Sequence, residues 1–283
     1  MRLQYRLVNV FTRHGEPLSG NPLCVFEDGN GLDAAQMQAL ARQFNLSETT
    51  FVLPCAQADA RVRIFTPTYE MPFAGHPTLG TAHVVRSLVN CGDRVTLELP
   101  IGPIPLVAQG DQWELRANAG TTRAPRASHA EIAAALGLDQ SDLAGAALWV
   151  DSGSEQLIVP LADEATVRRV RISIDALRHV TQDGPRAQVY VFSGSGGDTL
   201  CSRFFFSQGE SVVEDPATGS ATANLGGWFL ANGVRLPTTR FISQGEMAGR
   251  PSRLRLRIDA RRDVFVAGEV IELGRGYVEW SPP

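Results

Sequence analysis

Three side chains in this sequence are of types that move protons and sit in suggestive local company: Glu48 in FNLSETTFVLP (44–54), His76 in FAGHPTLGTA (73–82) and Asp215 in EDPATGSATA (214–223). Glu48 falls between a helix end and a strand, beside Ser47; it reads either as a base or as a solvated loop carboxylate. His76, flanked by Gly75 and Pro77 at a helix start, reads as a donor or acid to an anionic ligand, or as a capping histidine. Asp215 precedes Pro216 and reads as a second acid or as an N-terminal cap. Taken together, a carboxylate base, a histidine and a second acid suit removal of a proton from carbon, where an adjacent carboxylate or conjugated system stabilises the resulting anion.

The strings around His76 and Asp215 look like two copies of one device: strand, tight turn of small residues, helix start. A shift of 140 positions places Gly75 on Asp215, Arg63 on Arg203, Phe65 on Phe205, Glu70 on Glu210 and Thr78 on Thr218. Pro77 suits a first helical position, where its missing N–H costs nothing. Gly75, Gly80, Gly219 and Ser220 are small enough to leave the orphan N–H groups of each helix start open, and such starts bind anions. Two of them facing one cleft would make a pocket for a small carboxylate.

The elements that must position these residues follow from periodicity. The spacing predicts strands at 5–11, 23–26, 50–53, 60–65, 94–99, 104–107 and 112–116, with a helix over 33–44 capped by Asp33 and carrying Met37, Leu40 and Phe44. In the second half it predicts strands at 148–151, 157–159, 188–192, 254–258 and 264–266. The helices after Pro77 and Gly219 are apolar on nearly every face, and a helix apolar all round must be buried all round. The economical solution is α+β: two similar domains, each a barrel-like mixed sheet wrapped around a central helix. Domains are expected at 1–120 and 121–269, joined by a linker over 118–125, with the tail 270–283 packing back on the first.

Length supports that division, since cores tend to split above about 250 residues and this chain has 283. With 43% apolar and 20% charged residues it has the composition of an ordinary globular protein. No apolar run approaches a membrane span, and the N-terminus enters strand-like sequence directly, so a cytoplasmic protein with no membrane partner is expected. A net charge of −4 with scattered arginines argues against nucleic acid as a partner. Cys24, Cys55, Cys91 and Cys201 have neither zinc nor disulfide spacing and read as mostly buried thiols. The chain contains no lysine, which excludes an internal-aldimine pyridoxal phosphate enzyme, a Schiff-base aldolase and a P-loop nucleotidase. SGSGGD at 193–198 lacks dinucleotide-binding spacing and reads as a plain loop. No G-x-S-x-G elbow supports a hydrolase.

The strings GNPLCVF, LSETTFVLP, RIFTP with PFAGHPTLGTA, and VVEDPATGSATANLGGW occur in one order from Val8 onward. Together they closely resemble the phenazine-biosynthesis isomerase-like (PhzF) family, which shares the diaminopimelate-epimerase fold. The resemblance implies a homodimer with the site in a cleft between two domains. It implies catalytic Glu48, His76 and Asp215, substrate contacts from Asn21, Gly75, Gly219 and Ser220, and neither cofactor nor metal. The reaction implied is a cofactor-independent proton shift on a small anionic carboxylic acid, cyclic or unsaturated, with Glu48 removing the proton and returning it. Related epimerases place cysteines at the two helix starts. Here those positions read as Gly75 and Asp215, so two-thiol racemisation is not expected. The segment after Arg203, FFFSQGES, reads as about one residue longer than its first-half counterpart. The competing reading is a non-catalytic carboxylate-binding protein of the same fold.

Overall fold

The computed structural model describes residues 2–193 and 197–280, so the centre of the SGSGGD segment and residues 281–283 lie outside the described residues. The chain divides into two compact units, Met1–Arg116 with Ala267–Pro283, and Ala117–Val266. Both are α+β with mixed sheets.

In the first unit Arg2–Thr12 pairs antiparallel with Asn21–Phe26, which runs parallel to Glu48–Leu53 through the crossover helix Ala34–Phe44. Asp33 caps that helix in a reciprocal box with Gln36, and Met37 and Leu40 bury against Phe26 and Phe51. Glu48–Leu53 continues antiparallel to Ala60–Phe65, which forms a short hairpin with Glu70–Met71 and a parallel pair with Arg94–Leu99. Gly102–Gln109 and Gln112–Arg116 follow antiparallel. The last strand, Val264–Glu279, is far longer than the three residues expected. From Glu269 to Glu279 it lies along Arg2–Thr12, and it also pairs with Gln112–Arg116, curling the sheet.

The helix Gly75–Val89 touches six of these strands. A Cβ on Gly80 would lie 2.6 Å from Leu23 Cδ2 and 2.8 Å from Val10 Cγ2, so the missing side chain is what lets the helix sit this close to the sheet. Its last turn departs from the all-round burial expected: Leu88 and Val89 are exposed. The helix also begins two residues before Pro77. Any of the first four positions tolerates proline, because those N–H groups have no intrahelical partner.

The second unit repeats the order. Leu148–Asp151 is antiparallel to Glu155–Leu161, which runs parallel to Gln188–Ser193. Then come Thr199–Gln208 antiparallel, a hairpin to Ser211–Asp215, the helix Gly219–Ala231, a parallel return on Thr238–Gln244 and an antiparallel Ser252–Ile258. The central helix touches Thr121–Arg123, Leu148–Asp151, Glu155–Leu161 and Ser252–Ile258. Residues 118–125 are therefore not simply a linker, because Thr121–Arg123 pairs with Leu148–Asp151 inside the unit. Three short helices went unpredicted: His129–Ala135, Glu164–Arg169 and Ile174–Val180, capped by Ser128, Asp163 and Ser173. Their apolar residues Ile132, Val167 and Leu177 share one core with Trp149 and Leu157.

Candidate active site

In the first unit the start of strand Glu48–Leu53 and the start of helix Gly75–Val89 bring Glu48 and His76 together. His76 Nε2 lies 3.3 Å from Glu48 Oε2, with the side chains 7% and 15% exposed. The distance is that of an ion pair, but no hydrogen bond joins the two atoms, and Nε2 has no hydrogen-bond partner. Burial pushes the His76 pKa down to about 3, against which a hydrogen bond to the Pro22 backbone carbonyl acts in the opposite direction. With Nε2 unpartnered, it is Nδ1–H that donates to Pro22. The ring is thus neutral at physiological pH, and the unprotonated Nε2 lies 3.3 Å from Glu48 Oε2. His76 is not the helix cap, a position held by Ala74, and the dry surroundings disfavour its charge.

Asn21 is wholly buried, and its Oδ1 lies 3.5 Å from Ser47 Oγ.

In the second unit Asp215 ends the strand Ser211–Asp215 and is not a helix cap; the cap position is Thr218. Thr218 Oγ1 donates to Asp215 Oδ2 at 2.5 Å. Gln244 Nε2 donates both to Thr218 Oγ1 and to the Asp215 carbonyl, each at 2.9 Å. Because Thr218 Oγ1 accepts from Gln244, its own proton faces the carboxylate and fixes one Asp215 oxygen. Ser220, second in the helix, accepts from Gln156 Nε2 at 3.0 Å.

The helices Ala34–Phe44, His129–Ala135, Glu164–Arg169 and Ile174–Val180 each have a side-chain cap hydrogen bond, whereas the two central helices have none at Ala74 and Thr218. Neither central helix has an acidic residue in its first turn. Gly75 and Gly219 open them, so first-turn N–H groups are left without the carboxylate or hydroxyl that would otherwise occupy them.

The strand registers correct the internal repeat. Phe65 pairs with Glu70, but Phe205 pairs with Glu214, so the second hairpin is four residues longer, not one. Beyond the hairpin the shift becomes 144: Gly75 matches Gly219, His76 matches Ser220, and Asp215 matches Met71. The cation–π and ion-pair contacts obey the same rule. Arg63 stacks on Phe65 and grips Glu70 through two bonds of 2.7 Å. Arg203 stacks on Phe205 and grips Glu214 at 3.0 and 2.7 Å. Glu210, expected to match Glu70, instead pairs with Arg178 on the helix Ile174–Val180. Upstream the shift of 140 holds, since Thr49 opposes Phe65 and Val189 opposes Phe205. The second unit therefore has Gln188 where the first has Glu48. Gln188 is buried and donates to the Glu155 carbonyl at 2.7 Å.

Sequence reasoning missed Gln156, Thr218, Asn224 and Gln244. One signal was available for Asn224: a polar residue one turn after Ser220 in a helix otherwise apolar all round. Of the cysteines only Cys24 is buried, and burial pushes its thiol pKa up; all four are free and none lies at a helix start. Among the described residues no cluster of three or more His, Cys, Asp or Glu is arranged to hold a metal ion, and no helix is long and apolar enough to cross a membrane.

Comparison with known proteins agrees with this architecture. The family described as phenazine biosynthesis-like protein (PhzC-PhzF) matches residues 8–275. An uncharacterized isomerase of Pasteurella multocida is 38% identical over 96% of this chain and 92% of its own length. The trans-2,3-dihydro-3-hydroxyanthranilate isomerase of Pseudomonas aeruginosa is 37% identical over 98% of each chain. The crystal structure of a PhzF-family phenazine biosynthesis protein from Bacillus anthracis superposes with a TM-score of 0.86 at 24% identity, covering 98% of this chain and 99% of that one, a likeness of fold. With the family match spanning nearly the whole sequence and relatives of this identity covering it end to end, the chain belongs to the phenazine biosynthesis-like (PhzC-PhzF) family and is an isomerase.

Proposed function

We propose that this protein is a cofactor-independent isomerase that shifts a proton between two carbons of a small cyclic or unsaturated carboxylic acid, with Glu48 as the proton carrier. The observation that carries this reading is the Glu48–His76 pair: a mostly buried carboxylate facing the lone pair of a neutral imidazole at 3.3 Å. As a base, the Glu48 carboxylate takes a proton from carbon, and the electron pair left behind delocalises into the conjugated system. Glu48 is then a carboxylic acid, and its new O–H has an acceptor ready in His76 Nε2. The acid returns the proton to a second carbon, so atoms and charge balance and no second reactant is required.

The uncapped starts at Gly75 and Gly219 supply N–H donors suited to anionic groups. Within the second unit, Ser220 and Asp215 lie at and just before the uncapped helix start and offer one donor and one acceptor for polar ligand groups. The Pseudomonas aeruginosa relative is named for trans-2,3-dihydro-3-hydroxyanthranilate, an anionic, unsaturated ring that meets each of these requirements. We propose this compound, or a close analogue, as substrate, with the soluble enzyme working in the cytoplasm as a homodimer.

The test is a proton NMR time course in D₂O with that compound, comparing wild type with Glu48→Gln. Wild type should isomerise it, and the variant should be slower by at least about a hundredfold, the low end of what a positioned acid/base contributes. An equally active variant would refute the role of Glu48. A wild type inert toward this compound and its carboxylate analogues would refute the substrate class.

A further inference from the structure

The hydroxyl of Ser220 is held by a chain of hydrogen bonds whose direction is set by the backbone. Asn224, wholly buried one helical turn after Ser220, has Oδ1 accepting from the backbone N–H of Ser152 at 2.9 Å and from Ser152 Oγ at 2.7 Å. Its Nδ2 donates to the backbone carbonyl of Ser154 at 2.8 Å and to Gln156 Oε1 at 2.9 Å. A backbone N–H only donates and a carbonyl only accepts, so the Asn224 amide has one permitted orientation. Gln156, itself buried, must then turn Oε1 toward Asn224 and Nε2 toward Ser220 Oγ. The Ser220 oxygen consequently receives a proton from the protein, and its own proton is left to point elsewhere.

We propose that Gln156, locked by Asn224, is a positioning residue that makes Ser220 an obligate hydrogen-bond donor toward the anionic substrate. The inference rests on the proposed function, since it concerns how that substrate is held. The second unit thus carries two one-way relays, Gln244 to Thr218 to Asp215 and Asn224 to Gln156 to Ser220. The first ends on a carboxylate oxygen inside the protein. The second ends on the hydroxyl of Ser220, which is only partly buried in a helix start otherwise buried at Thr218, Gly219 and Ala221, and whose proton the relay leaves uncommitted. Free serine hydroxyls rotate and bind donors and acceptors alike; this one is biased against ligand donors, so it selects for an acceptor such as a carboxylate.

The test uses 3-hydroxyanthranilate, an aromatic analogue, as binding probe for wild type, Ser220→Ala, Gln156→Glu and the double variant between pH 5 and 8. Ser220→Ala should weaken binding about tenfold or more, as expected for a lost hydrogen bond to a charged group. Ionised, the side chain of Gln156→Glu accepts the Ser220 proton and reverses the relay, so binding should weaken comparably. Protonated, it donates as the glutamine does, so the ratio of wild-type to Gln156→Glu affinity should fall toward one as pH is lowered. With Ser220→Ala as background that pH-dependent ratio should vanish. Gln156→Met, of similar length and without a donor, should fold and bind more weakly at every pH with no such recovery. Losses that multiply independently of Ser220, or variants at position 156 that bind like wild type, would overturn the relay and leave the function standing. Wild type that binds neither this probe nor any related carboxylate would overturn both.

Discussion

Replacing Glu48 by glutamine should abolish turnover while leaving the protein as stable as wild type, or more so. His76 Nε2 is buried without a hydrogen-bond partner and faces Glu48 Oε2 at 3.3 Å. Burial keeps the ring neutral, so no ion pair exists to lose. An unsatisfied buried polar atom costs about 1–3 kcal/mol, and a neutral hydrogen bond contributes about 1 kcal/mol. In the Glu48→Gln variant the amide N–H₂ can face Nε2 and the remaining oxygen keeps the other contacts of the side chain. The expected gain is about 1 kcal/mol at pH 7, which for a unit of this size is a rise in Tm of roughly 2–4 °C. Urea unfolding at pH 7 measures the free energy, and the ¹⁵N shifts of His76 report which ring nitrogen carries the proton. A variant destabilised by more than about 1 kcal/mol, with a doubly protonated ring in wild type, would show that the two groups form a true ion pair and refute the argument.

Acidification should weaken the fold through His76. Its folded pKa, pushed down to about 3, lies below the usual 6.5, so the unfolded chain binds the extra proton first. The stability attached to neutral His76 is therefore complete above pH 6.5 and drains away as pH falls toward 3, by up to about 1.4 kcal/mol per pH unit. Burial and the neighbouring Arg86 also depress His83, which adds in the same direction. Urea midpoints at pH 7, 5 and 4 should converge between wild type and His76→Gln as pH drops; parallel curves would contradict this. The two matched arginine grips should differ in strength. Arg203 and Glu214 are 9% and 14% exposed, against 26% and 33% for Arg63 and Glu70. Glu214→Ala should cost about 3 kcal/mol, as for breaking a buried pair, and Glu70→Ala about 1. Equal losses in denaturant unfolding would deny the role of burial.

Much of this arrangement is legible in the sequence, and the exceptions have physical reasons. The two central helices announce themselves because burial on all sides leaves no polar stripe, and Asp33 with Gln36 marks a helix start unambiguously. The short helices of the second unit escaped because six or seven residues hold too few apolar positions to set a period, and their stability comes from the shared core around Trp149. The central strand Thr199–Gln208 was overlooked because FFF reads apolar on both faces, as buried strands do. Glu48, His76, Asp215 and Ser220 stand out by type and local company. Gln156 and Gln244 do not, since an amide on a strand has no spacing rule; only the backbone groups that orient each one reveal what it does. The repeat is visible in the sequence, but its register changes past the hairpins, because that turn is longer in the second half.

The pairing of Glu48 with Gln188 at matched positions has an isotopic consequence. Enzymes that invert a carbon with two opposed bases take a proton on one side and deliver a different one, drawn from solvent, on the other. Here only one of the two matched strand positions carries a group able to hold a proton, and the amide at the other holds none. If Glu48 carries the proton as proposed, its single carboxyl either returns it to the same molecule or loses it to water. Label placed on the donor carbon should therefore reappear, in part, on the acceptor carbon of the product, in competition with solvent exchange and on the same face of the ring.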